Sequence, residues 1–391
     1  MNIFKYLFLK SSWLLVLVLV LHSGTTFAQS RGKNPLNINV QDELLPVNNR
    51  DLSESEKSQL QESLQRLNED AKTQLDLGNE AQAFEIFYRQ IRLTRALGVV
   101  EELEIITEVG KIAWEKNRIE DLRFLTERLT VLEAKNTRNN RLNADLLPLF
   151  LDGYQTLGDI NRSISIQQQM LVNAREKNDQ QQVKKILENL GNAYLSIFNY
   201  FGAKPIYEEL LTLSETDKSY VDQTNYLQKL SQINGNLLRV ENAVEYKKRL
   251  VVSHTENERF TAIPMVKIAI ANDYKMMDNP SEAGYYYQKA FNLAWSLGQY
   301  AIAGDALKGL GKLYQDYQEL NSALQVYREL IKIEEQSYNF YGLMETYEQM
   351  GVIYQSQNRT QEARESFTKA LQIAQQLRYR ESDFVRKIEQ L

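Results

Sequence analysis

The sequence predicts an all-α fold, an α-solenoid of stacked antiparallel helix pairs running from about residue 55 to residue 391. Two observations predict it. Past residue 55, apolar residues recur with helical periodicity and are interrupted by short polar turns. Four columns then hold register at a spacing of 40 across three copies. They are the small residues Ala271, Gly311 and Gly351, the tyrosines Tyr274, Tyr314 and Tyr354, the alanines Ala283, Ala323 and Ala363, and the aromatics Tyr287, Tyr327 and Phe367. A third observation limits the alternatives: the chain has no cysteine, which excludes disulfides, thiolate catalysis and cysteine-bound zinc. Stability must come from core packing, which a helical array of this length can supply.

The elements follow in order. Lys5 and Lys10 flank the start, Ser12–Leu21 is an almost unbroken apolar run, and Thr26-Phe27-Ala28 ends in small residues. This is the pattern of an export signal over residues 1–28, cleaved after Ala28. The alternative, a retained membrane anchor, would need about twenty apolar residues. Residues 29–54 carry Gly32, Pro35, Pro46 and several asparagines without periodicity, and read as a flexible leader. A short cap packed through Leu44 and Leu45 is the other reading. From 55 onward, stepping back by 40 from the C-terminal copies finds Gly191, Tyr194, Ala203 and Tyr207, then weaker copies around Ser231, Leu151, Gly110 and Ala71. The count is eight helix pairs. The turns carry fitting chemistry: Asn279 caps before Pro280, Gly78 and Gly158 close first helices, and Pro264 can open one. Pro148 and Pro205 imply late starts or kinks. Ser382–Leu391 reads as a terminal capping helix.

A small residue, an aromatic three later, an alanine nine after that and an aromatic four beyond resemble the tetratricopeptide repeat family, in a variant of 40-residue period and exported bacterial type. The resemblance is weak in the first three copies and departs from the family's 34-residue period, so each pair is longer by about six residues. It implies a right-handed superhelix whose concave wall is lined by the first helix of each pair. Small residues let the paired helices approach closely, and the aromatics fill the space between them.

Chemistry is sparse. Outside the signal the only histidine is His254, in a polar stretch read as a solvated loop, and no metal-binding, nucleophile-elbow or phosphate-loop motif occurs. No catalytic residue, cofactor or metal is expected, and the chain reads as a non-enzyme. Without Lys5 and Lys10 the 46 basic residues become 44 against 51 acidic ones, a formal charge of −7 that argues against a nucleic-acid partner. The predicted function is a scaffold that binds a protein or an extended peptide, periplasmic or secreted, without stable membrane insertion once the signal is removed. A passive structural spacer and a peptide-sensing superhelix are the alternatives.

Mapped by the resemblance, the partner-binding concave wall comprises Asn192, Gln232, Asn272, Lys275, Asp305, Lys312, Glu345, Glu348 and Gln355. Amides both donate and accept, which suits a peptide backbone, and the mixed charges can select a partner by sign. The regular copies from Ala271 onward place the main contact surface between about residues 224 and 391. Trp114, at an inner position of the irregular half, is either a second anchor or core. Among Tyr285, Tyr286 and Tyr287, the last belongs to the core column and one neighbour should point outward.

Overall fold

The computed structural model describes residues 33–38, 40–46 and 50–391. The expected signal over 1–28 lies outside the described residues. The chain divides into two compact units, one ending at Met170 and one beginning at Leu171. Among the described residues there are seventeen α-helices. The first sixteen make eight consecutive pairs, and α17 follows them. No helix among the described residues is long and apolar enough to cross a membrane.

The first unit contains α1 (Glu54–Asp76), α2 (Glu80–Thr94), α3 (Val99–Glu115), α4 (Ile119–Asn136) and α5 (Leu147–Thr156); α6 (Ile160–Glu176) crosses the boundary between the units. Ser53 starts α1 with a capping box: its hydroxyl accepts from Glu56 N–H, and the Glu56 carboxylate accepts from Ser53 N–H. The core is aromatic and branched, with Phe84, Phe87, Ile91, Ile106, Leu125, Phe150 and Tyr154 all buried. Inside it Arg128 makes a two-pronged pair with Glu102 at 2.6 and 2.8 Å. One irregularity was not legible in the sequence. Thr137–Arg138 and Arg141–Leu142 form a two-stranded hairpin whose tip, Asn139 and Asn140, is left-handed at both residues. The following helix starts late, with Pro148 in its first turn, and runs for only 10 residues.

The expected flexible leader needs correction over its described part. Leu36 is fully buried in the core of the unit. Asn34 donates to the Phe124 carbonyl at 3.1 Å and to Glu127 at 3.0 Å, and Arg89 grips Asp42 at 2.7 Å. Leu44 and Leu45 pack against a cluster of Leu52, Leu60, Leu64 and Leu93. The segment lacks periodicity because its partners lie on α1, α2 and α4 rather than within itself.

The second unit is far more regular. It holds α7 (Gln180–Ser196), α8 (Tyr200–Thr216), α9 (Tyr220–Asn236), α10 (Val240–Glu256), α11 (Ile263–Met276), α12 (Pro280–Ser296), α13 (Tyr300–Asp316), α14 (Leu320–Gln336), α15 (Phe340–Ser356), α16 (Thr360–Leu377) and α17 (Glu381–Glu389), each packed on the next. Most helices are 17 residues long and separated by three, so the 40-residue period is two steps of equal length. The turns explain the rhythm. Phe198, Lys218, Leu238, Glu258, Asp278, Gln318, Tyr338, Asn358 and Arg378 are left-handed, as is Gly298. In each such turn the next amide reaches back to a carbonyl five residues earlier, as Asn199 N does to Tyr194 O at 2.9 Å. Pro205 lies inside α8, and Pro264 falls in the first turn of α11, after a single 3-10 turn at Phe260–Ala262.

The columns interlock as small-against-large packing. A Cβ on Gly191 would stand 2.9 Å from the Tyr207 ring, and one on Gly311 or Gly351 would stand 2.5 Å from Tyr327 or Phe367. Only glycine, or alanine at 271, lets each aromatic lie flat between paired helices. The reading of His254 as a solvated loop residue is wrong. It sits in α10, 5 % exposed, with Nδ1 2.8 Å from the Tyr220 hydroxyl, and burial lowers its pKa. Thr255 to Arg259 are exposed, while the helix turns the imidazole inward together with Ser253.

Candidate protein-binding face

The first helices of the second unit, α7, α9, α11, α13 and α15, carry the predicted wall residues. Asn192, Gln232, Asn272, Asp305, Lys312 and Gln355 are exposed, and Lys275 and Glu345 are half-buried. Helical spacing puts the residue after each small position on the open side, because the small residue itself faces the second helix.

Ion pairs tie some of the neighbouring first helices together. Lys275 Nζ lies 2.6 Å from Asp316, which also receives Lys312 at 3.4 Å, so α11 and α13 are tied together. Lys308 on α13 reaches Glu345 on α15 at 2.6 Å. Lys184 on α7 reaches Asp222 on α9 at 2.5 Å. Burial pushes the Asp316 carboxyl up, but the two ammonium groups outweigh it and hold the pKa below the usual value. Between α13 and α15 a cleft of about 220 Å³ gathers Lys308, Lys312, Tyr327, Glu345, Thr346, Glu348 and Gln349.

The amides are partly engaged from within. Tyr207 donates its hydroxyl to Asn192 Oδ1 at 3.0 Å, Tyr287 donates to Asn272 Oδ1, and Tyr327 donates to Gln315 at 3.1 Å. Each aromatic column therefore buries its ring and brings its polar end out at this face. The two asparagine amides keep their N–H groups as donors, so their accepting half is already committed.

Glu348 does not belong with the free acids. It is 7 % exposed and receives Arg380 at 2.8 Å and Lys387 at 2.6 Å. Those cations hold α17 against α15, where Phe384 is fully buried. Burial again raises the Glu348 pKa, and Arg380 and Lys387 overcome it. The partners follow 32 and 39 residues later in a segment without column register, so the sequence offered no pairing.

The sequence reading also passed over Glu334. It is 4 % exposed on α14, one carboxylate oxygen has no hydrogen-bond partner, and burial pushes its pKa up to about 7 against the opposing pull of Thr346 and Lys308. Nothing in the 40-residue columns marks it, since the residue 40 positions earlier is the buried Ala294. Of the tyrosine triplet, Tyr285 is the outward member, Tyr286 stacks on Tyr274, and Tyr287 is core. In the first unit, Trp114 is half exposed and lies over Gly158, whose left-handed φ of 76° leaves no room for a side chain.

Residues 345–377 match the tetratricopeptide repeat family model, a stretch covering most of α15 and α16. The columns of that pair recur upstream at the same spacing, so the helix pairs of the second unit resemble the matched tetratricopeptide repeat. No match was found among curated proteins. Three solved structures are similar. The BtubC (BKLC) structure from P. vanneervenii shares 17% identity over 56% of this chain and 92% of its own, with a TM-score of 0.40. MamA shares 21% over 48% of this chain and 95% of its own, with a TM-score of 0.35. The apo form of RapI shares 13% over 84% of this chain and 96% of its own, with a TM-score of 0.40. At these scores the assignment of the fold stands on the helix pairs themselves.

Proposed function

We propose that this chain is a non-enzymatic scaffold that holds a protein or an extended peptide on the first-helix face of its second unit, acting in the periplasm or outside the cell. The observation that carries the reading is the face itself. Outward amide donors on α7 and α11 continue into a cleft bounded by Lys308, Lys312 and Glu345. Donors at intervals along a groove suit the carbonyls of an extended backbone, and charges of both signs discriminate among side chains. The charged groups are arranged to hold. Lys275 and Lys308 are paired with Asp316 and Glu345, which fixes their geometry.

The test is capture. A photo-crosslinking residue at position 232 or 312 in the mature chain, expressed in its own host, should trap a discrete protein partner. Replacing Asn192, Gln232 and Asn272 together by alanine should cut that capture at least about tenfold, the scale of two or three lost hydrogen bonds. Full capture by the triple variant overturns the assignment of the face. Export is tested separately, by sequencing the N-terminus of the protein from the envelope and medium fractions. A chain beginning at Gln29 supports cleavage after Ala28, and an intact chain confined to the cytoplasm refutes it.

A further inference from the structure

A second cavity lies in the first unit, where residues 38, 40–46 and 50–52 face the C-terminal end of α2. It encloses about 600 Å³, within the ~300–1,000 Å³ of small-molecule sites. One wall is apolar: Ile38, Val40, Leu45 and Pro46 come from the crossing segment, and Leu93 from α2. Ile38 and Val40 leave about half of their surface in water, an apolar exposure that the fold of the unit does not use.

The other wall carries four arginines, and their partners differ. Arg89 is paired with Asp42 at 2.7 Å and Glu43 at 3.2 Å and Arg50 with Glu56 at 2.5 Å, while Arg95 shares the Glu102 carboxylate, at 3.1 Å, with Arg128. Arg92 stands apart. Its one hydrogen bond among the described residues runs to the Pro35 carbonyl at 3.0 Å, and no carboxylate there comes within ion-pair distance. The acid that acts on it electrostatically is Asp42, and that acid is already gripped by Arg89. Burial and the neighbouring Arg89 both disfavour its charged form. A half-buried guanidinium that keeps its charge is stabilised by an anion, and its remaining N–H donors match a carboxylate fork.

We propose that this cavity binds a small amphiphile, an apolar chain ending in a single carboxylate, with the chain along Ile38, Val40, Leu45 and Leu93 and the carboxylate on Arg92. The site shares no residue with the first-helix face and does not depend on the scaffold reading.

The experiment is calorimetric titration of the full chain with decanoate, decanol and acetate. Decanoate should bind, with decanol and acetate each at least about tenfold weaker, since one supplies only the chain and the other only the charge. Arg92→Gln should weaken decanoate about tenfold and leave decanol unchanged. Ala96→Phe, at an exposed position on the cavity rim, keeps every charge and should remove decanoate binding by filling the space. Thermal melts establish that both variants are folded, and the second carries the test if the first is not. Equal affinity for decanoate and decanol, undiminished decanoate binding in folded Arg92→Gln or in Ala96→Phe, or no decanoate binding at millimolar concentration overturns the proposal.

Discussion

Two glycines on α13 allow the packing argument to be tested with one substitution made twice. Gly304 and Gly311 lie on the same helix, so alanine at either should gain about 1 kcal/mol from helix propensity. At Gly304 the new methyl would sit 3.7 Å from Leu330 and 3.8 Å from Ile333, ordinary contact distances. At Gly311 it would sit 2.5 Å from one Tyr327 ring carbon and 2.9 Å from two others. That ring is 2 % exposed and its hydroxyl is held by Gln315, so it cannot swing away cheaply. Overpacking of this kind costs about 1–3 kcal/mol. Gly304→Ala should therefore stabilise by about 1 kcal/mol, and Gly311→Ala should destabilise by up to about 2 kcal/mol once the propensity gain is subtracted. Urea melts followed by far-UV circular dichroism report both, and hydrogen exchange across α13 and α14 localises the second. Because repeat arrays open in segments, local protection is the sharper reading. Adding Tyr327→Leu to Gly311→Ala should recover part of the loss relative to Tyr327→Leu alone, by removing the clashing ring. Equal shifts of the same sign for the two alanine variants would refute the claim that the columns are small for steric reasons.

Three further outcomes follow from the same geometry. Leu238 is 82 % exposed with φ of 56°, a conformation costing a branched residue about 1 kcal/mol, so Leu238→Gly should raise the urea midpoint despite glycine's reputation. Glu334 holds its proton in the fold up to a pKa of about 7, against 4.5 for the free side chain, so the folded state binds the extra proton between those values. Its contribution is whole below pH 4.5 and is lost as pH rises through 7, by up to about 3 kcal/mol, and Glu334→Gln should flatten that decline in melts from pH 5 to 8. Glu348→Ala removes the carboxylate shared by Arg380 and Lys387 and should cost about 2 kcal/mol locally, seen as faster hydrogen exchange over 381–389 with α13 unaffected.

The sequence by itself determined the architecture of the second unit, because that architecture is written at short range. A helix of 17 residues and a turn of three repeat their own signals, and the small residue meets its aromatic only 16 positions later, at Gly311 and Tyr327. Spacing also put Asn192, Gln232, Asn272 and Lys312 at equivalent positions of their helices, and all four are exposed, since helical periodicity fixes direction without reference to neighbours. Gly78 and Gly158 showed their left-handed turns in the sequence, but Phe198, Leu238 and Tyr338 adopt the same conformation under the demand of the helices they join and carry no such signal. Tertiary structure alone decided which polar groups were already committed. Asn34 finds Phe124 at a separation of 90 residues, and Glu348 finds Arg380 at 32, neither within a repeating column. His254 lay in a polar stretch and is buried, because a helix exposes one side and hides the other whatever the average polarity of the stretch. The cavity beside Arg92 likewise exists only once residues 40–46 and 50–52 have packed against α2. A charge is free or neutralised according to what the chain brings within about 4 Å of it, and that distance is set by the fold and not by the order of residues.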